Sequence, residues 1–332
     1  MSERATPPGA LAPPSADTGP ATAGSGERAP VRPVERAVSI GPARLMGIVT
    51  EPVASGGGAE RPRRALLAAN IGLHHRVGPF RIYVELARAA AARGWYVLRF
   101  DLSGLGESEP RPEGTGDTEQ AVRDTIEAMD WMAERHGIEE FVLVGLCSGV
   151  DAAHATALVD PRVVGAAFID GYSYRTPGHL LRRHVLRLLQ LGRWRRYLGR
   201  RLAARPSAAG DRARPAGGAE RAVTDPATAG LLFARRYPSR ARFRQDVAAL
   251  TRRGARLLFV YTGAVDEHFN SERQLAETLG RRVPPDRVAV AILRHADHVL
   301  TGLAERARLV ALLVRWLDGG APDARPAPHA PT

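Results

Sequence analysis

Six nearly continuous apolar runs punctuate the chain: ALLAAN (65–70), WYVLRF (95–100), EFVLVG (140–145), VVGAAFI (163–169), RLLFVY (256–261) and VAVAIL (288–293). None shows the strict alternation of a half-exposed strand, so each must be covered on both faces, the condition of a strand inside a parallel sheet. Between them lie segments with apolar residues at helical spacing, as in Val122, Ile126, Met129 and Met132. Parallel neighbours need a crossover rather than a hairpin, and a crossover helix also supplies the cover. The expected class is α/β, a mostly parallel sheet with helices on both faces. Two shorter runs, VERAVSI and ARLMGIV, joined at Gly41 and Pro42, read as a strand pair ahead of it.

Proline and glycine place the helices. Pro79 suits the first position of a helix running to about Ala92, with Gly94 at its exit, and Gly137 stops a helix that starts near Asp117. Others follow Gly149 up to Asp160 and cover Ser271–Leu279 and Leu303–Leu317. The ends are rich in Pro, Ala, Gly and Ser and read as disordered tails. Between Gly171 and about Leu250 the strands give way to HLLRRHVLRLLQLGRWRRYLGRRLAA and a Pro/Gly/Ala stretch. The expected organisation is a tail over 1–33, core over 34–171, an Arg-rich helical cap over 172–250, core over 251–319 and a tail over 320–332. In the cap, Leu181, Val185, Leu188 and Leu189 form an apolar stripe, with Arg182, Arg183 and Arg187 elsewhere on the surface. Such a helix packs as a lid, lines a channel for anionic substrates, or lies on a membrane surface.

A net charge of +12 invites a nucleic-acid partner. Every basic residue apart from histidine is Arg, however, and no zinc-finger, helix-turn-helix or RNP pattern accompanies the charge, so none is expected. No stretch has the roughly 18 apolar residues of a membrane span, and no signal-peptide apolar region is visible, which makes the cytoplasm the default location. The lone cysteine, Cys147, forms no intrachain disulfide and no Cys-based zinc site, so its value lies in packing or reactivity.

Cys147 stands at the centre of GLCSG (145–149), between an apolar strand and a helix. That is the strand–turn–helix setting of the nucleophile elbow G-x-S-x-G, with Cys in the central place. Centring the motif on Ser148 would put Leu146 and Val150 where glycines belong. The first amides of the following helix favour a thiolate. A plain buried cysteine at a strand end is the alternative.

In elbow architectures the order along the chain is nucleophile, acid, histidine. Asp266 lies just past RLLFVY and His298 just past VAVAIL, which makes them the expected acid and base. Glu267, His268 and His295 are neighbouring rivals. No H-x-H or H-E-x-x-H spacing links Asp266, Glu267, His268, His295, Asp297 and His298, so no metal is expected. The oxyanion hole is expected to use the backbone N–H of Ser148 and a second N–H from Gly72 or Leu73. DLSGLGES (101–108) lacks both dinucleotide and Walker patterns and reads as structural, so no cofactor is expected.

Together, ANIGLHHRVGP, RFDLSGLGES, GLCSG, TGAVDE and ADHVL resemble the α/β-hydrolase superfamily, in particular its serine aminopeptidase-like group, over about residues 34–319 apart from much of the cap. The cysteine at the elbow also resembles dienelactone hydrolase, whose family uses a Cys-Asp-His triad. The resemblance implies those roles for Cys147, Asp266 and His298, with a small-molecule ester, thioester or lactone cleaved through an acyl-enzyme. An acyltransferase on the same fold, and a binding module that keeps the elbow without turnover, remain open. Asn70-Ile71-Gly72 departs from the His-Gly of many relatives, and Cys147 from the commoner Ser.

Overall fold

The computed structural model describes residues 32–53, 63–72, 74–111, 117–188, 237–280 and 283–320. Of the expected tails at 1–33 and 320–332, residues 1–31 and 321–332 lie outside the described residues, as do the cap residues 189–236 and Leu73. So do the side chains of Val185, Arg187 and Leu188.

Eight strands, β1 (Glu35–Ile40), β2 (Leu45–Thr50), β3 (Arg64–Ala68), β4 (Tyr96–Phe100), β5 (Glu140–Leu146), β6 (Val163–Ile169), β7 (Arg256–Thr262) and β8 (Val288–Leu293), form one sheet in the order β1-β2-β4-β3-β5-β6-β7-β8. The β1–β2 and β2–β4 pairs are antiparallel, and every other pair is parallel. The apolar runs are thus the parallel strands, and the strand pair ahead of them is the antiparallel edge.

The helices are α1 (Ile82–Ala91), α2 (Asp117–His136), α3 (Gly149–Val159), α4 (Pro177–Leu188), α5 (Arg240–Arg252), α6 (Arg273–Leu279) and α7 (Leu303–Leu317). Strand alternation splits the core in two. Leu66 and Ala68 of β3 pack with Ile82, Leu86, Leu309, Leu313 and Trp316 of α1 and α7. Ala65 and Leu67 face the opposite layer, with Met129 of α2, Val150 of α3 and Phe243 of α5. Each buried Leu, Ile, Val, Met or Phe among them contributes about 1.5–3 kcal/mol relative to exposure, so both layers are needed to hold the strands whose ends carry the site.

Three expectations change. The first helix begins at Ile82 rather than Pro79, because Phe80 and Arg81 sit at φ 46° and 66° within a 3-10 turn, Pro79–Arg81, and break the helical ladder there. The end of the expected cap belongs to the body: Phe243, Val247 and Leu250 of α5, spaced i, i+4, i+7, are buried in the core. In α4, Arg182 and Arg183 turn toward the body instead of solvating an outer surface. Arg182 donates to Glu277 at 2.8 Å and to Asn270 at 3.3 Å, and Arg183 donates to the Glu267 carbonyl at 2.9 Å, while Leu181 is 66% exposed. The reason lies in distant segments, since α6 and the turn before it offer α4 the Glu277 carboxylate, the Asn270 side-chain oxygen and the Glu267 carbonyl, which a stripe of leucines would leave unpaired. Among the described residues no helix is long and apolar enough to cross a membrane.

Candidate active site

The carboxyl ends of β5, β6, β7 and β8 converge on one place. β5 ends at Leu146 and α3 starts at Gly149, leaving two residues for the turn. Cys147 takes φ 53°, a left-handed conformation that costs a non-glycine residue about 1–3 kcal/mol and persists only where the surroundings enforce it. Its N–H donates to the Ile169 carbonyl at 2.9 Å, which ties the turn to the end of β6. The two glycines are dictated by close approach. A Cβ on Gly145 would lie 2.4 Å from the Gly149 carbonyl oxygen, and one on Gly149 would lie 3.0 Å from that of Asn70.

His298 reaches this turn from the loop after β8. Asp297 shapes that loop by accepting from the N–H groups of Val299 and Thr301 at 3.1 and 3.0 Å. His298 Nδ1 donates to Asp170 Oδ2 at 2.9 Å, and its ring also hydrogen-bonds Cys147. The bonds to the Asp170 carboxylate and then to the Cys147 sulfur push His298 up to about 10, against the smaller opposing pull of desolvation. Both bonds therefore favour the protonated imidazole.

Asp170, the residue after β6, is the partner that reading the sequence missed. Its side chain is fully buried and also accepts from Thr262 N–H at 2.7 Å and Thr262 Oγ1 at 2.6 Å. The expected acid, Asp266, is not beside His298. It is exposed, four residues past the end of β7 and beyond a 3-10 turn, Gly263–Val265. The turn is anchored by Gly263 N–H donating to the Ala296 carbonyl at 3.0 Å, and it leaves Thr262, not Asp266, against the histidine loop. A trace of Asp170 was present in the sequence, a carboxylate abutting the apolar run VVGAAFI and followed by Gly171. His295 and His268 are exposed, and His268 lies 3.5 Å from an Arg175 nitrogen.

Of the expected oxyanion donors, Ser148 sits at the N-cap of α3 and Gly72 is close to it. Gly72 N–H donates to Ser148 Oγ at 2.8 Å. Asn70 holds this loop from below, donating to Asp101 Oδ1 and to the His74 carbonyl, both at 3.2 Å. Asp101 is wholly buried, ion-paired with Arg76 and bonded by its N–H. A Cβ on Gly106 would lie 2.3 Å from an Asp101 oxygen, so this glycine of DLSGLGES makes room for the pair.

A family model described as serine aminopeptidase, S33 (Hydrolase_4) matches residues 63–302, from the start of β3 past His298. The chain belongs to this α/β-hydrolase family. The protein is accordingly a hydrolase, and where the family's description names a serine its elbow carries Cys147, with Ser148 one place on. A comparison with curated proteins found no match. Among solved structures, an esterase of Pyrococcus furiosus superposes with TM-score 0.52 at 11% identity, over 86% of this chain and 90% of its own. A hypothetical protein of Pseudomonas aeruginosa gives TM-score 0.50 at 18% identity, over 86% and 93%. A bacterial membrane phospholipase A gives 0.50 at 19%, over 86% of each chain. At these identities the likeness is one of fold.

Proposed function

We propose that this member of the S33 hydrolase family cleaves a small-molecule ester or thioester through an acyl-enzyme on Cys147. The observation that carries the reading is His298, bonded at once to the buried Asp170 and to a cysteine strained into the elbow conformation. An imidazolium bonded to sulfur favours the thiolate. The thiolate attacks the carbonyl carbon, the π pair moves to oxygen, and collapse of the intermediate expels the leaving group, which takes its proton from His298. Acylation removes the sulfur's charge and with it part of what keeps His298 protonated. The now neutral imidazole, still oriented by Asp170, takes a proton from water, which attacks the thioester and releases the acid. The esterase activity named for the Pyrococcus furiosus fold neighbour is in keeping with this substrate class.

The test is to expose the protein to p-nitrophenyl esters and acyl thioesters of varied chain length and to read the intact mass. An acyl adduct should appear on Cys147, and neutral hydroxylamine should remove it, because a thioester yields to that nucleophile where an oxygen ester resists. An adduct that survives hydroxylamine and maps to Ser148 would overturn the assignment.

The same geometry sets a pH dependence. A free thiol of pKa about 8.5 loses about fiftyfold in thiolate between pH 8.5 and 6.5. Cys147, paired with an imidazolium whose pKa stands at about 10, should be alkylated by iodoacetamide at pH 6.5 within about fivefold of its rate at pH 8.5. A fiftyfold fall would mean that no ion pair forms.

A further inference from the structure

Three amides of the loop after β3 already have acceptors. Ile71 N–H donates to the His74 carbonyl at 3.3 Å, His74 N–H to the Ile71 carbonyl at 2.9 Å, and Gly72 N–H to the Ser148 hydroxyl oxygen at 2.8 Å. Where a substrate oxyanion would collect the Gly72 hydrogen, Ser148 Oγ stands instead. A serine oxygen that accepts one hydrogen bond still carries its own hydrogen, and accepting from an amide polarises that O–H into a better donor. Ser148 follows Cys147 directly, at φ −65°. Its backbone N–H and side-chain O–H spring from one residue and can converge on a single oxygen next to the sulfur.

We infer that the Ser148 hydroxyl is a catalytic residue, donating its hydrogen to the oxyanion formed when Cys147 attacks, with Gly72 behind it as a positioning residue. This rests on the acyl-enzyme reading above and deepens it. As Sγ bonds to the carbonyl carbon, the π pair moves to oxygen and is met by Ser148 N–H and Ser148 Oγ–H. No proton leaves the serine. When the pair returns, the bond to the leaving group breaks and His298 supplies the proton. Gly72, at φ 52°, holds the hydroxyl in place through its amide and has no side chain to fill the gap.

Ester turnover and alkylation separate this role from a structural one. Both need the nucleophile, but alkylation by iodoacetamide builds no oxyanion. Ser148→Ala should lower kcat on p-nitrophenyl esters on the order of a hundredfold, the loss seen when one oxyanion donor is removed, with KM nearly unchanged. Alkylation of Cys147 in the same variant should stay within about threefold of native, and Ser148→Thr, which keeps a hydroxyl, should recover most of the ester rate. Ser148→Ala turning over esters as fast as the native protein would show the hydroxyl to be a placeholder that substrate displaces. Equal losses in both assays would place its effect in the shape of the elbow. Either result overturns the inference while leaving Cys147 as nucleophile. If instead Cys147→Ala keeps full turnover, the acyl-enzyme reading falls and this inference falls with it.

Discussion

Asp170→Asn should lower kcat on activated esters by about a thousandfold or more, whereas Asp266→Asn should leave it within about twofold. The asparagine fills the same space but presents a neutral oxygen or an N–H to His298 Nδ1, so the ring loses both its orientation and the charge that keeps it protonated. The Thr262 N–H and Oγ1 also bond the Asp170 carboxylate at 2.7 and 2.6 Å, and an amide satisfies these less well. A thermal-melting control is therefore part of the measurement. Asp266 is exposed in a turn, and its replacement removes nothing that touches His298. A large loss in Asp266→Asn together with a small one in Asp170→Asn would mean that the loop after β7 rearranges when substrate binds.

Cys147→Ala should abolish acyl transfer, with a loss on the order of a thousandfold or more, and His298→Ala should come close to it. The double variant should be little worse than either single one, because the pair acts as a unit and removing one member already disables the other. Cys147→Ala keeps the left-handed turn occupied by a small side chain, so the fold should survive and circular dichroism should match the native protein. His295→Ala should stay within about tenfold of native, since His295 is exposed three residues away from His298. Turnover that persists in Cys147→Ala but vanishes in Ser148→Ala would move the nucleophile to the serine.

The fold class and the elbow were legible without coordinates, and for the same reason. Both are written as patterns among neighbours in the chain: runs without alternation need cover on both faces, and a strand that turns into a helix within two residues needs glycine at Gly145, where a Cβ would meet the Gly149 carbonyl. The place of His298 was legible because it lies in the loop after the last strand, which ends at Leu293, and the carboxyl ends of parallel strands share one edge of the sheet. The sequence alone could not choose the acid. Asp170 and Asp266 both follow a core strand. The 3-10 turn at Gly263–Val265, anchored to the Ala296 carbonyl, carries Asp266 into solvent, while the left-handed Asp170 at φ 48° tucks its carboxylate under Thr262 and His298. The same limit governed α4, whose inward face was set by Glu277 and Glu267, about 95 and 84 positions along the chain from Arg182 and Arg183. It also governed the Gly72 amide, whose acceptor is a hydroxyl 76 residues away. Local backbone demands are written into adjacent residues. Which of two equivalent carboxylates meets a histidine, or which oxygen takes an amide hydrogen, depends on groups brought together only when the strands align.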